Sequence, residues 1–165
     1  MSRPTPERPG PGQESVWDYP RPPRLEPSTA RIEVVLGGVT VARTHQALRV
    51  LETSHPPTYY LPRSAFEPGS LTPTSGESFC EWKGTAVYFD VVGGSAMAPR
   101  AAWGYPRPAP AFAALLQHVA IYPGAMDLCT VDGEVVEPQP GGFYGGWVTS
   151  AVVGPFKGQP GTGFW

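Results

Sequence analysis

Proline (22) and glycine (20) make up about a quarter of the 165 residues and are scattered along the whole chain. A proline inside a helix costs about 3 kcal/mol and a glycine about 1. A long helix therefore has nowhere to form. Between these breakers stand short runs of β-branched and aromatic residues, the pattern of many strands joined by turns. A hydrophobic fraction of 41%, with 12% aromatic residues, supplies a core for one compact domain.

Charge excludes several partners. Charged residues are only 16% of the chain, against the usual quarter, and the net charge is −2. No basic patch marks a nucleic-acid surface, and no block of like charge would recruit an anionic membrane. No window approaches the ~20 apolar residues that span a bilayer. Met1 to Gly12 is polar and Pro-rich without the apolar stretch of a secretory signal, so a cytoplasmic protein is expected. Cys80 and Cys129 are too few for a disulfide scaffold and read as two reduced thiols.

The chain divides into four parts: a disordered tail (1–14), an extended Pro/aromatic arm (15–30), a core domain (31–136) and a Gly/Pro/aromatic C-terminal wrap (137–165). Trp17 and Tyr19 are costly to leave in water, which predicts that the arm lies against the domain. Residues 31–36 and 39–43 form a hairpin across Gly37-Gly38. Residues 48–53 and 59–61 follow as strands, 64–76 is a loop, and 77–82 pairs with 85–92 across Lys83-Gly84. Gly93-Gly94 opens a loop toward Arg100. The one helix expected spans about 110–118, with Pro110 in its first turn and Phe112, Leu115, Leu116 and Val119 on one face. Residues 120–122 and 126–131 return to strand, and Asp132-Gly133 turns into 134–136.

Two motifs echo. Trp17-Asp-Tyr-Pro-Arg-Pro22 matches Trp103-Gly-Tyr-Pro-Arg-Pro108 at all but one position, and Trp82-Lys83-Gly84 is mirrored by Phe156-Lys157-Gly158. The first echo suggests one packing solution used twice, with arginine stacked on an aromatic face.

The run from Glu52 through Pro56-Pro-Thr-Tyr-Tyr-Leu-Pro62, then Cys80-x-x-Lys83-Gly84-x-Ala86-x-Tyr88, then Ala102-Trp103-x-Tyr105-Pro106 resembles the bacterial and fungal domain-of-unknown-function 427 family. The resemblance covers about residues 31–130, and the flanks look like an extended actinobacterial form. It implies a β-tent: two twisted antiparallel sheets leaning together, with one short helix. Other β-tent proteins often hold zinc between two Cys-x-x-Cys pairs. This chain has no such pair, so no metal is expected. A nucleotidyltransferase designation also attaches to the family, but the chain lacks both an Asp-x-Asp pair after Gly-Ser and a phosphate cradle of the Gly-x-x-x-x-Gly-Lys kind.

Candidate chemistry centres on Cys80, Glu52 and Lys83 as catalytic residues. An ammonium close to a thiol would favour the thiolate, although residues three apart on a strand face opposite ways unless a turn intervenes. The alternative for Cys80 is a small buried hydrophobe. Glu52 is either a general base beside Tyr60 or a buried acceptor paired with Arg63 or Lys83. His55 is the most site-like histidine; His45 reads as a surface residue and His118 as a cation at a helix C-terminus. A Cys80–His55–Glu52 triad can be written from the sequence. Tyr60, Arg63, Trp82, Trp103, Tyr105 and His55 are the expected ligand contacts of an aromatic cleft.

The reading is a protein that binds a small organic ligand, anionic ones included, without a cofactor. The alternatives are a metal-independent enzyme using Cys80 or Glu52, and an interaction module acting through the arms. Either a monomer or a homodimer is compatible with the sequence.

Overall fold

The computed structural model describes residues 3–165, so the expectation for the first two residues of the tail lies outside the described residues. The architecture is mainly β, as expected. Among the described residues, fifteen strands run β1 (Glu14–Ser15), β2 (Arg24–Ser28), β3 (Ile32–Leu36), β4 (Val39–Thr44), β5 (Ala47–Leu51), β6 (Thr58–Pro62), β7 (Leu71–Cys80), β8 (Gly84–Gly93), β9 (Ala96–Gly104), β10 (His118–Ile121), β11 (Leu128–Val131), β12 (Glu134–Val135), β13 (Glu137–Pro138), β14 (Trp147–Val148) and β15 (Val152–Val153). Seven of them form an antiparallel sheet in the order β2-β5-β6-β10-β9-β8-β7, and four form a second in the order β12-β11-β3-β4. The β3–β4 and β11–β12 hairpins turn where Gly37-Gly38 and Asp132-Gly133 place them.

Period-2 alternation divides the large sheet into two faces. Tyr59, Leu61, Phe89, Ala102 and Val119 point toward the small sheet and share a core with Ile32, Val34, Leu36 and Val41. Their neighbours Tyr60, Trp103 and Ala120 point the other way, into a second cluster with Phe112 and Leu115. Full burial of one such side chain contributes about 1.5–3 kcal/mol, so the first face holds the sheets together. The second face is where the site forms.

The helical segment differs in detail from its expectation. It is a pair of 3-10 turns over Pro110–Leu115, with Phe112 and Leu115 buried. Gln117 adopts a left-handed φ of 60°, which stops any continuation. Val119 therefore lies in β10 on the opposite core, Leu116 is half exposed, and His118 is a strand residue rather than a helix-terminal cation. Among the described residues, three other single 3-10 turns occur at Val16–Asp18, Arg63–Ala65 and Pro123–Ala125. The expected loops at 64–76 and after Gly93 are shorter than the sequence suggested. Residues from Leu71 onward already pair with β8 through a bulge between Thr74 and Glu77, and β9 begins at Ala96.

Both flanks pack on the domain. Val16, Trp17 and Tyr19 bury against Leu51 and Val152, and β1 pairs in parallel with β15. β2 forms the edge of the large sheet beside β5. Upstream, the Glu7 N–H donates to the Gly154 carbonyl at 2.8 Å. In the wrap, Trp147 is fully buried against Tyr59 with ring centroids 5.0 Å apart, and its Nε1 donates to the Ile121 carbonyl. The arginine-stacking idea for the Trp17 and Trp103 echo does not hold. Arg21 donates to the Thr53 carbonyl and pairs with Glu52, and the guanidinium over Trp17 belongs to Arg3.

Candidate functional site

The second face of the large sheet carries Val50 on β5, Tyr60 on β6, Ala86 and Tyr88 on β8 and Trp103 on β9, followed by Tyr105. These residues floor a cavity of about 420 Å³. The tip of the β7–β8 hairpin closes one side with Cys80, Trp82 and Lys83. The β5–β6 turn gives Glu52 and His55, and the wrap gives Gln139, Phe143, Tyr144, Gly145 and Lys157. The volume lies within the range of small-molecule sites, which are mostly apolar with a few convergent polar groups.

Aromatic rings brace one another around this space. Tyr60 meets Trp103 edge-on at 6.3 Å and Tyr105 at 6.3 Å, and Trp103 packs on Tyr122 at 4.5 Å. Gly145 abuts the outer edge of the Trp103 indole, where a Cβ would overlap the ring. Burial holds the Tyr60 phenol well above its ordinary pKa and raises that of Tyr105, with the Cys80 thiol next among the causes at Tyr105. Both phenols are thus neutral O–H groups at physiological pH.

Two ammonium groups face the rings. Lys83 Nζ stands 6.0 Å from the Tyr105 centroid and Lys157 Nζ 5.6 Å from that of Tyr144. Neither forms an ion pair among the described residues. Glu52, by contrast, is spoken for: Arg21 Nη2 lies 3.2 Å from its Oε2 and His55 Nε2 lies 3.5 Å from the same oxygen. Glu81, exposed at the β7–β8 tip, also lines the cavity without an ion pair among the described residues, so the unpaired charge there is two ammonium groups against one carboxylate.

His55 is held from both sides. Its Nδ1 accepts from Gln139 Nε2 at 3.0 Å, which leaves the ring proton on Nε2, toward Glu52. Burial pushes its pKa down to about 4; Glu52 opposes the shift, and Lys157, Arg21 and Lys83 reinforce it. The ring is neutral at physiological pH. With both nitrogens engaged, neither is placed to take a proton from Cys80, and the triad written from sequence is not assembled.

Eight of the nine residues singled out in the sequence line this one cavity: Glu52, His55, Tyr60, Cys80, Trp82, Lys83, Trp103 and Tyr105. After the turn at residues 81–83, Cys80 and Lys83 both line this cavity. Arg63 is the exception. Its guanidinium stacks on Phe89 at 4.9 Å, and Phe89 belongs to the core-facing side of the sheet. It borders a separate depression of about 120 Å³ with Gln117 and His118. Cys80 is partly open, whereas Cys129 is buried and its pKa is pushed up to about 12 by desolvation.

Sequence reading missed Gln139, Tyr144 and Lys157. A signal existed for Lys157: its echo of Lys83 within an aromatic-Lys-Gly motif turns out to mark two cations of one cavity. No group of three His, Cys, Asp or Glu among the described residues could hold a metal ion. No helix among them is long and apolar enough to cross a membrane. No curated protein matches the chain. Residues 24–132, the stretch from β2 to the β11–β12 turn, match the domain of unknown function DUF427, and the chain belongs to that family.

Proposed function

We propose that this protein binds a small planar organic anion in the aromatic cavity, with Lys83 and Lys157 taking the negative group and Tyr60, Trp82, Trp103 and Tyr105 taking the ring. The observation that carries the reading is the pair of lysines without carboxylate partners, each set over an aromatic face in a cavity where Glu52 is already paired with Arg21 and the exposed Glu81 is the one other carboxylate in the lining. A free ammonium in a partly desolvated site gains more from a carboxylate or phosphate than from water. The neutral phenols add hydrogen-bond donors to the same space. His55, with Gln139 and Glu52, holds the wall in place. Arg63 has no part in it.

The flanks support this reading over an interaction module, because Trp17, Tyr19 and Trp147 spend their apolar surface on their own domain. In this reading the flanks are an extension of the family domain that completes the cavity, and the protein works in the cytoplasm. A second reading gives Cys80 a covalent role, favoured by its partly open thiol in the cavity that Lys83 also lines. Under that reading Cys80→Ser abolishes turnover; under the first it leaves binding intact.

The test is a thermal-shift and titration series with benzoate, 1-naphthoate and phenyl phosphate against benzamide and benzylamine. The anions raise the melting temperature, and the neutral and cationic analogues do not. Lys83→Ala and Lys157→Ala each weaken anion binding about tenfold, the size of one lost charge-assisted hydrogen bond. Equal stabilisation by benzylamine, or indifference of the double variant, would sink the proposal.

A further inference from the structure

We infer that the ligand is amphipathic: an aromatic acid head in the cavity, continued by an unbranched apolar tail that lies in a second groove beyond Tyr122 and Tyr144. This rests on the anion-binding reading above and extends it to a substrate class.

The groove measures about 580 Å³, larger than the cavity itself, and three residues, Tyr122, Gln139 and Tyr144, line both. It runs between the middle of β9 at Pro99–Ala101, the 3-10 turn at Pro123–Ala125 and the wrap at 138–142. Its chemistry is the reverse of the cavity's. Pro99, Pro123, Pro138 and Pro140 line it, and proline offers no N–H to a ligand. Arg100 is the one charged side chain lining it among the described residues, and its head is engaged elsewhere. The guanidinium lies 4.4 Å over the Tyr88 ring, and Nη1 donates to the Ser75 carbonyl at 2.6 Å.

A polar ligand part entering this groove would lose water and find few partners. An alkyl chain loses nothing and gains the apolar walls. Position gives the same answer as chemistry. Tyr122 is stacked on Trp103, so the apolar surface under the head continues across the shared wall into the groove. The wall cannot simply widen, because Gln139 is bonded to His55, to the Lys157 carbonyl and to the Gly146 N–H. Two unpaired cations on one side of that wall and proline rings on the other match a molecule that is itself divided into an anionic ring and a hydrocarbon tail.

The experiment uses the full chain and four probes: benzoate, phenyl phosphate and the 4-butyl derivative of each, titrated calorimetrically. Burying a methylene is worth up to about fourfold in affinity, so a butyl chain half-covered by an open groove tightens binding at least tenfold. Gly124 has room for a side chain, its Cβ position being 3.5 Å from Pro138, so Gly124→Trp fills the groove. That variant binds the butyl probes no better than their parents. Ala125→Trp is the second blocking variant, should the first fold poorly. Lys83→Ala weakens parent and butyl probes by the same factor.

Parent probes that bind while the butyl group adds nothing overturn the inference and leave anion binding standing. A butyl gain that survives both blocking variants overturns it too, since the tail then lies elsewhere. A proline-rich peptide that occupies the groove while the butyl gain is absent replaces it with a peptide site. Failure of all four probes removes the inference together with the anion-binding reading.

Discussion

The side-chain amide of Gln139 donates to Nδ1 of His55 across 3.0 Å, joining residues 84 apart in the chain. The same amide donates to the Lys157 carbonyl at 2.8 Å, and its oxygen accepts from the Gly146 N–H at 3.1 Å. Gln139 is 2% exposed, so each of these bonds is made away from water. One buried side chain thereby fixes the β5–β6 turn, Gly146 next to the glycine that abuts Trp103, and the segment carrying Lys157. The geometry demands a neutral imidazole, because a protonated His55 has no lone pair left to accept with.

Stability should therefore depend on pH in a defined window. The His55 pKa is about 4 in the fold against an ordinary 6.5. Between those values the unfolded chain binds the proton and the folded chain does not. The contribution is fully present above pH 6.5, falls as pH drops toward 4 and is flat below that. Urea melts from pH 7.5 to 4.5 should show this loss in the native protein and a shallower slope in His55→Asn. An unchanged slope in the variant would place the titration elsewhere.

Replacing Gln139 tests the hub itself. Gln139→Leu removes three hydrogen bonds and leaves the Gly146 N–H and the Lys157 carbonyl without a side-chain partner. Each such buried group costs about 1–3 kcal/mol. We expect a loss of about 2–4 kcal/mol in chemical denaturation and weaker anion binding, because the Lys157 segment is released. Gln139→Glu should recover less than half of the lost stability, since it cannot donate to both His55 and the carbonyl.

How much of this was legible in the sequence depends on how local each cause is. Alternation on β6 sends Tyr59 to one face and Tyr60 to the other, and that follows from a two-residue period. The hairpin turns at Gly37-Gly38 and Asp132-Gly133 were equally local. Arg63 misled because it follows Pro62, where the strand ends and a 3-10 turn carries its guanidinium to Phe89 on the other face. The helix was overread because its apolar spacing continues through Val119, while the chain breaks at Gln117 into a new strand. Gln139 was illegible in principle: nothing near it in sequence states that His55 will be its partner.

The two thiols should separate by reactivity. Cys80 is partly open on the cavity side, while Cys129 is 1% exposed with its pKa pushed up to about 12. The thiolate is the reacting form, so Cys129 is protected both by access and by protonation. Iodoacetamide followed by mass spectrometry should give one adduct on the folded protein, at Cys80, and a second only in denaturant. A bound planar anion should slow the first by at least threefold. Equal labelling of the two cysteines in the folded protein would contradict the placement of Cys129 in the core.

Gly145 gives a steric test of the cavity wall. A methyl group there would overlap the Trp103 ring, and the wall must move outward or the indole must turn. Overpacking of this kind costs about 1–3 kcal/mol. Gly145→Ala should therefore lower the denaturation midpoint and alter the near-ultraviolet circular dichroism, since Trp103 and Tyr122 stack at 4.5 Å. Gly142→Ala, three residues earlier in the chain and with open space at its Cβ, is the control; its positive φ of 73° adds strain but no contact. The two variants should differ in the aromatic spectrum, not merely in stability.

The wrap lies beyond residue 132, where the family match ends, yet it completes the core as well as the cavity. Trp147 is wholly buried among residues from both sheets, stacked on Tyr59, with its indole N–H donated to the Ile121 carbonyl and its backbone N–H to the Pro57 carbonyl. Removing it leaves a void between the sheets and an unpaired carbonyl in β10. Phe and Trp truncations in such settings cost about 3–5 kcal/mol, and total stability for a domain is about 5–15 kcal/mol. Trp147→Ala should therefore consume much of the margin, while Trp147→Phe, which keeps the stacking and loses the hydrogen bond, should cost about 1–2 kcal/mol. A chain ending after Val136 lacks Trp147, Gln139 and Lys157 together, and it should lose cooperative unfolding, not simply the ligand site. Retention of a sharp thermal transition by that truncated chain would mean that residues 24–132 fold alone and that the wrap serves binding only.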